Sequence, residues 1–308
     1  MTTHIFIDGA AGTTGLEIRE RLGDRPELTL ISLSDAERKD AGARRRALND
    51  ADIVILCLPD EAAREAVSLI DNDRTKVIDA STAHRVAPGW VYGFPEISGR
   101  DIVAQSKRVS NPGCYSTGFI ALVAPLVRVG LVPPDWPLAS NAASGYSGGG
   151  KSMIADYEGG DVTSAFSTYA LSLSHKHVPE MQTHCGLSVA PVFAPAVVPV
   201  HRGMIVDVPL PVSAMPGTPS VDAIKSTLRN VYAGSQIVRL IEDYDAATLT
   251  IERCANTDRL DLFVFADAAG TQVRLVAALD NLGKGAAGAA VQNLNILAGL
   301  EETAGLRL

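Results

Sequence analysis

One cysteine in this sequence stands where a thiol can act as a nucleophile. Cys114 closes the approach Ser110-Asn111-Pro112-Gly113 and opens Tyr115-Ser116-Thr117-Gly118, and an apolar helical pattern follows from Phe119 to Val127. The Asn-Pro-Gly approach forces a sharp turn. A cysteine at a helix start gains thiolate character from unpaired N–H groups and the positive end of the helix dipole. The plain alternative is a small buried thiol, which is how Cys57, Cys185 and Cys254 are read. A nucleophilic thiol usually works with a base that is distant in sequence. Six histidines are available, His4, His84, His175, His177, His184 and His201. The densest polar cluster is His175-Lys176-His177-Val178-Pro179-Glu180, whose Pro-Glu corner can lock an imidazole in one orientation. His201-Arg202-Gly203-Met204 supplies a guanidinium suited to clamp a carboxylate or phosphate, although alone it is an ordinary strand-edge arginine.

A second chemistry is written in glycine. Gly9-x-x-Gly12-x-x-Gly15, with Thr13 and Thr14 inside it, falls between a strand-like and a helix-like segment. Glycines there permit the tight turn and the approach of a pyrophosphate to a helix N-terminus. About 20 residues on, Ser32-Leu33-Ser34-Asp35 ends the second strand, where an acid binds the ribose 2′-hydroxyl of NAD. Asp35 favours NAD, whereas Ser34, Arg38 and Lys39 favour a 2′-phosphate and NADP, so the residues leave both open. Two further Gly-rich stretches read as loops passing closely over a ligand, or as a linker and a plain helix start. They are Ser144-Gly145-Tyr146-Ser147-Gly148-Gly149-Gly150-Lys151 and Asp280-Asn281-Leu282-Gly283-Lys284-Gly285-Ala286-Ala287-Gly288. An Asn before such a turn is suited to hydrogen-bond a carboxamide.

These residues need elements to hold them. His4–Asp8, Leu28–Leu33, Asp52–Leu58 and Lys76–Asp79 read as strands, with helical patterns over Leu16–Leu22 and Glu61–Ile70. Strands without polar alternation, separated by helices, imply a doubly wound parallel sheet of Rossmann type, covered on both faces. The middle of the chain differs. Val189–Val200, Met204–Leu210, Leu249–Glu252, Leu262–Ala266 and Gln272–Leu279 read as strands around one helix, Val221–Tyr232, which predicts an α+β domain with a mixed or antiparallel sheet. Gly283–Leu300 reads as a small-residue helix. The division expected is 1–113 with the C-terminal helix 284–308 as dinucleotide domain, and 114–283 as catalytic domain. Arg44-Arg45-Arg46 reads chiefly as a solvated helix face, with a role near a cofactor phosphate as the minority reading.

Composition narrows the function classes. The 308 residues are 46% hydrophobic and 20% charged, with a net charge of -8, which excludes disorder as the dominant state. Aromatics at 5% and an acidic balance argue against nucleic acid or anionic lipid as partner, so an anionic small substrate needs its own local cations. The most apolar long stretch, Gly186–Val200, is broken by Pro191, Pro195 and Pro199, which excludes a membrane span there. No leader pattern opens the chain, and the four cysteines form no Cys-x-x-Cys pair. A reducing cytoplasm and no structural metal are therefore expected.

Taken together, the motifs resemble those of the N-acetyl-γ-glutamyl-phosphate reductases, in the shorter of their two types, over nearly the whole length. The likeness rests on the Gly9 triplet, Tyr92-Gly93-Phe94-Pro95-Glu96, Ser110 to Tyr115, Ser144 to Gly148, His175 to Glu180, His201 to Met204 and Asp280 to Gly288. It implies Cys114 as nucleophile toward an acyl phosphate and His177, preceding x-Pro-Glu, as acid/base. It implies NADP as cofactor, held by Gly9, Gly12, Thr13, Thr14, Gly15, Ser34, Arg38 and Ser81, with Asn281 facing the nicotinamide. Asn111, Ser144, Gly145, Glu180 and Arg202 are implied around the substrate, and a homo-oligomer is implied as assembly. Aspartate-semialdehyde dehydrogenase shares this fold plan and cysteine–histidine logic. A non-catalytic dinucleotide-binding regulator leaves Cys114 and the histidines without a purpose, and a thiol hydrolase leaves the Gly9 turn without one.

Overall fold

The computed structural model describes residues 2–34 and 36–308. The chain divides into two compact units, Met1–Pro112 with Ala286–Leu306, and Gly113–Gly285 with Arg307–Leu308.

In the first unit, β1 (Thr3–Asp8), α1 (Thr13–Leu22), β2 (Leu28–Ile31), α2 (Ala41–Asp50), β3 (Ile53–Leu56), α3 (Asp60–Ser68) and β4 (Lys76–Asp79) alternate. Then come β5 (Val91–Tyr92), α4 (Pro95–Ser98), α5 (Arg100–Gln105) and β6 (Arg108–Ser110). The six strands form one parallel sheet in the order β2-β1-β3-β4-β6-β5. Alternate side chains leave opposite faces. Ile5, Ile55, Ile78 and Val109 pack with Ile18 and with Val291 and Leu294 of the C-terminal helix, whereas Phe6, Val54, Leu56 and Val77 pack with Leu48 and Ala63. Burial of each such aliphatic chain stabilises the unit by about 1.5–3 kcal/mol.

The second unit opens with α6 (Cys114–Arg128), β7 (Ala139–Gly145), α7 (Gly150–Glu158), β8 (Ser167–Thr168), α8 (Val178–Cys185), β9 (Val192–Val198) and β10 (Met204–Leu210). It ends with α9 (Val221–Val231), β11 (Val238–Leu240), β12 (Leu260–Ala266) and β13 (Val273–Leu279). Its seven-stranded mixed sheet runs β11-β12-β13-β10-β7-β9-β8. Twelve of the fifteen residues of α6 are buried. Gly118 lets α6 settle on the sheet, because a Cβ there would lie 2.8 Å from Val206 and 3.3 Å from Ala277. Pro125, inside α6, has no N–H to offer the Ala121 carbonyl four residues back. The Tyr232 hydroxyl donates to that carbonyl instead (2.7 Å).

Two expectations are corrected. Leu249–Glu252 is not a strand: the chain turns at Thr250–Arg253, and Leu249 packs with Tyr244 and Cys254 over Phe263, Val276 and Ala278 of the sheet. Its apolar residues cover a sheet face instead of joining the ladder. Gly283–Ala287 forms a π turn before the α-helix proper, α10 (Gly288–Ala298). Strand β7 and helices α2, α7 and α8 had not been read from the sequence.

Candidate active site

The Gly9 turn in the first unit has the form a pyrophosphate needs. Gly9 has φ +88, and a Cβ there would stand 2.2 Å from the Cys57 carbonyl oxygen. Gly12 N–H donates to the Gly9 carbonyl (3.0 Å). A Cβ on Gly15 would lie 2.5 Å from that same oxygen. Helix α1 then starts with no side-chain cap, so Thr13 and Thr14 stand in a first turn whose N–H groups suit an anion. The Thr13 hydroxyl is buried with no hydrogen-bond partner among the described residues, a donor awaiting an acceptor. These features fit a dinucleotide phosphate.

A cleft beside this turn is lined by Ala10, Ala11, Ser32, Arg38 and Arg44. Ser32, and not Ser34, lines it: the Ser34 hydroxyl donates to Glu37 Oε2 (2.7 Å) and caps the short helical turn there. Arg44 departs from the solvated face expected of the arginine run, since it folds back onto Asp8 (2.7 Å). Asp35 and the side chain of Lys39 lie outside what the structure describes. Ser81 follows β4, with its hydroxyl on the buried Asp79 (2.7 Å). Asp79 also meets His84 Nδ1 at 2.6 Å, and the His84 ring stacks on Trp90. Sequence reading passed over this pair because neither residue lies in a motif.

In the second unit, Cys114 is the first residue of α6, after Gly113 and with no side-chain cap. Residues on both sides of it touch the histidine segment. Gly113 N–H donates to Glu180 Oε2 (3.1 Å), and Ser116 Oγ donates to the His177 carbonyl (3.4 Å). Pro179 at the start of α8 leaves His177 as N-cap. His177 and Glu180 are both buried, with Nε2 and Oε1 3.9 Å apart. His175 Nδ1 accepts from the His177 backbone N–H (3.1 Å), so a neutral His175 carries its proton on Nε2. The rings of Tyr115, His175, His177 and Phe193 pack edge to face or tilted around this corner. Tyr169, absent from the sequence reading, joins the group through His175. Burial pushes its hydroxyl up to about 12, and the Tyr115 hydroxyl higher still. Across the same site, a Cβ on Gly285 would meet Cys114 Cβ at 2.8 Å, so Gly285 packs directly on the Cys114 side chain.

The other cysteines are inert by contrast. Burial pushes Cys57 up to about 12, with Asp79 and Asp8 adding to it, and Cys254 up to about 11; Cys185 is raised as well.

Asn111, Ser144, Gly145, Asn281 and Arg202 complete the expected set. Asn111 is buried in the first unit, where Nδ2 donates to the Ala286 carbonyl (2.9 Å) and the backbone carbonyl accepts from Arg85. Its amide braces the approach to Gly113. Gly145 ends β7 so tightly against the next loop that a Cβ would lie 2.7 Å from the Val200 carbonyl. Asn281 Oδ1 accepts from Gly203 N–H (3.0 Å), and its Nδ2 donates to Ser147 Oγ (2.8 Å). Arg202 Nη1 lies 3.7 Å from Asp280 Oδ2. The buried Ser144 begins this knot of loops.

Two family models match this chain. Residues 4–105 match the family model described as semialdehyde dehydrogenase, NAD binding domain, and residues 114–281 that described as semialdehyde dehydrogenase, dimerisation domain. A protein of Trichormus variabilis named N-acetyl-gamma-glutamyl-phosphate reductase is 47% identical, over 98% of this chain and 98% of its own length. A Chelativorans protein of the same name is 50% identical, over 96% and 98%. Among solved structures, aspartate semialdehyde dehydrogenase II of Vibrio cholerae superposes with a TM-score of 0.72 at 18% identity, covering 97% of this chain and 99% of that one. That of Candida albicans with NADP gives 0.70 at 16%, over 98% and 99%. These structural likenesses speak for the fold alone.

Proposed function

The chain belongs to the N-acetyl-γ-glutamyl-phosphate reductase family of the semialdehyde dehydrogenases, and from that premise we propose how its residues divide the work. The reaction is reduction of N-acetyl-γ-glutamyl phosphate to N-acetylglutamate 5-semialdehyde with release of phosphate, a step of arginine biosynthesis, with NADPH as reductant. The observation that carries the assignment of roles is Cys114 at the open first turn of α6, its turn held by a buried Glu180 that also faces His177.

Cys114 attacks the acyl carbon as thiolate, and the bond to the phosphate oxygen breaks to leave a thioacyl-enzyme. His177 takes the thiol proton, gives it to the oxyanion left by reduction of the thioester, and takes it back as the thiohemiacetal collapses to aldehyde and thiolate. Glu180 stabilises the imidazolium that forms between those steps, and holds Gly113 so that the sulfur stays in line. The Cys114 backbone N–H stabilises the developing oxyanion. NADPH supplies the hydride when bound. Gly9, Gly12, Thr13, Thr14 and Gly15 would hold its pyrophosphate, with Ser32, Arg38 and Ser81 nearby and Asn281 toward the nicotinamide; Ser34, turned to Glu37, drops out of the set. Ser144, Gly145 and Arg202 bind the substrate, and Asn111 acts by bracing the turn. Residues 1–113 with 284–308 serve the cofactor, and 114–283 serve catalysis and subunit assembly.

The assembly we infer is a homo-oligomer built on the outer face of the seven-stranded sheet. Asn141 and Ala194 are exposed there and Val192 is 55% exposed among the described residues. All four cysteines are free, which suits a reducing cytoplasm. No helix among the described residues is long and apolar enough to cross a membrane.

The deciding experiment follows absorbance during phosphate-dependent NADP reduction with N-acetylglutamate semialdehyde, with NAD and with aspartate semialdehyde alongside. Preference for the acetylated substrate and NADP is expected. Preference for aspartate semialdehyde overturns the substrate reading.

A further inference from the structure

We propose that Asp280 is a positioning residue for this reaction: one buried carboxylate faces the Arg202 guanidinium and also caps the turn at Leu282 and Gly283, ahead of the Gly285 that packs on Cys114. The inference rests on reading Arg202 as the substrate anchor.

Asp280 is fully buried. Its Oδ1 accepts from Leu282 N–H (2.7 Å) and Gly283 N–H (2.9 Å), and its Oδ2 accepts from Asn256 N–H (2.5 Å). Oδ2 also stands 3.7 Å from Arg202 Nη1, on a side chain 11% exposed. A carboxylate this deep is retained only where donors and a counter-charge surround it. The same residue's backbone carbonyl accepts from Gly285 N–H (3.0 Å), at the point where the chain presses on the Cys114 side chain. Its neighbour Asn281 grips Gly203 N–H. The Arg202–Gly203 turn therefore meets an ion-pair contact at its side chain from residue 280 and a hydrogen bond at its backbone from residue 281. An arginine fixed in this way meets an anionic group with its planar fork already oriented. A neutral amide at 280 would turn an NH2 toward one of two sets of donors, either Leu282 and Gly283 or Asn256 and Arg202.

A carboxylate that merely capped its own turn would act independently of Arg202, and that difference is measurable. Steady-state kinetics with N-acetylglutamate semialdehyde, phosphate and NADP are compared for Arg202→Met, Asp280→Asn and the double variant, with NADP affinity measured in parallel. Arg202→Met should raise the KM for the semialdehyde about 10–100-fold. Asp280→Asn should raise it about tenfold with NADP affinity held, and the double variant should be no worse than Arg202→Met alone. Effects on KM that multiply overturn the proposal while leaving Arg202 as anchor. An unchanged KM in Arg202→Met overturns the anchor itself, and the proposal with it. Should Asp280→Asn fail to fold, the wild-type protein decides the matter by 15N NMR of the Arg202 guanidinium, assigned by its loss in Arg202→Met. Hindered rotation of the Nη groups supports the pairing, and free rotation overturns it.

Discussion

At the residue scale, the four cysteines separate by surroundings. Cys114 sits at an open helix start, whereas burial holds the other three as neutral thiols. A raised thiol pKa means the unreactive protonated form persists to higher pH, so the window is set by about 11 for Cys254 and about 12 for Cys57. Iodoacetamide should therefore label Cys114 alone up to about pH 9, and mass spectrometry of the digested protein should find the label there. Cys114→Ala should take up no label, lose about 10³-fold or more in turnover, and bind NADP as before by fluorescence. The placement of Cys114 at a helix start was legible in Asn-Pro-Gly-Cys because that turn is local chemistry. Asp280 and Tyr169 were not legible, since their partners lie far along the chain: Arg202 and Asn256 for one, His175 for the other.

At the scale of the element, two features make sharp demands. Gly9 adopts φ +88 with the Cys57 carbonyl against its α-carbon, so Gly9→Ala combines backbone strain with a clash. It should destabilise the protein by about 1–3 kcal/mol and weaken NADP binding, while Cys114 still reacts with iodoacetamide. Titration calorimetry and thermal melts check both effects. Tyr232→Phe tests how α6 tolerates Pro125. Removing the hydroxyl leaves the Ala121 carbonyl without that donor, and denaturant unfolding should show a loss of about 1–3 kcal/mol. Strands β1, β3 and β4 were legible because apolar runs between turn residues report a sheet covered on both faces. Strand β7 was not. Its sequence Ala-Ser-Asn-Ala-Ala-Ser-Gly has no β-branched or aromatic residue, and its place in the sheet comes from pairing with β9 and β10. Leu249–Glu252 shows the converse, an apolar run with strand-like residues that packs across a sheet face.

At the scale of the whole molecule, the outer sheet face is the proposed assembly surface. Val192→Asp places a charge on that face at a side chain already 55% exposed, so the fold of one subunit should survive. Light scattering after gel filtration should then show a smaller species than the unaltered chain. An unchanged mass would move the interface elsewhere. The acidic net charge of -8 takes no part in substrate capture in this picture. A few placed cations such as Arg202 do that work at short range, where a low dielectric strengthens them. What the sequence determined by itself was everything written locally. That covers the glycine turn, the presentation of Cys114, the alternation of strand and helix in the first unit, and the family likeness assembled from those motifs. Only the tertiary structure decided which polar groups are spent on holding loops and which face a ligand. Ser34 turned to Glu37 and Asn111 to Ala286. The physical reason is that burial and hydrogen-bond saturation belong to the packed chain. A side chain's chemistry is written in its type, but its free valences are known only once every neighbour is in place.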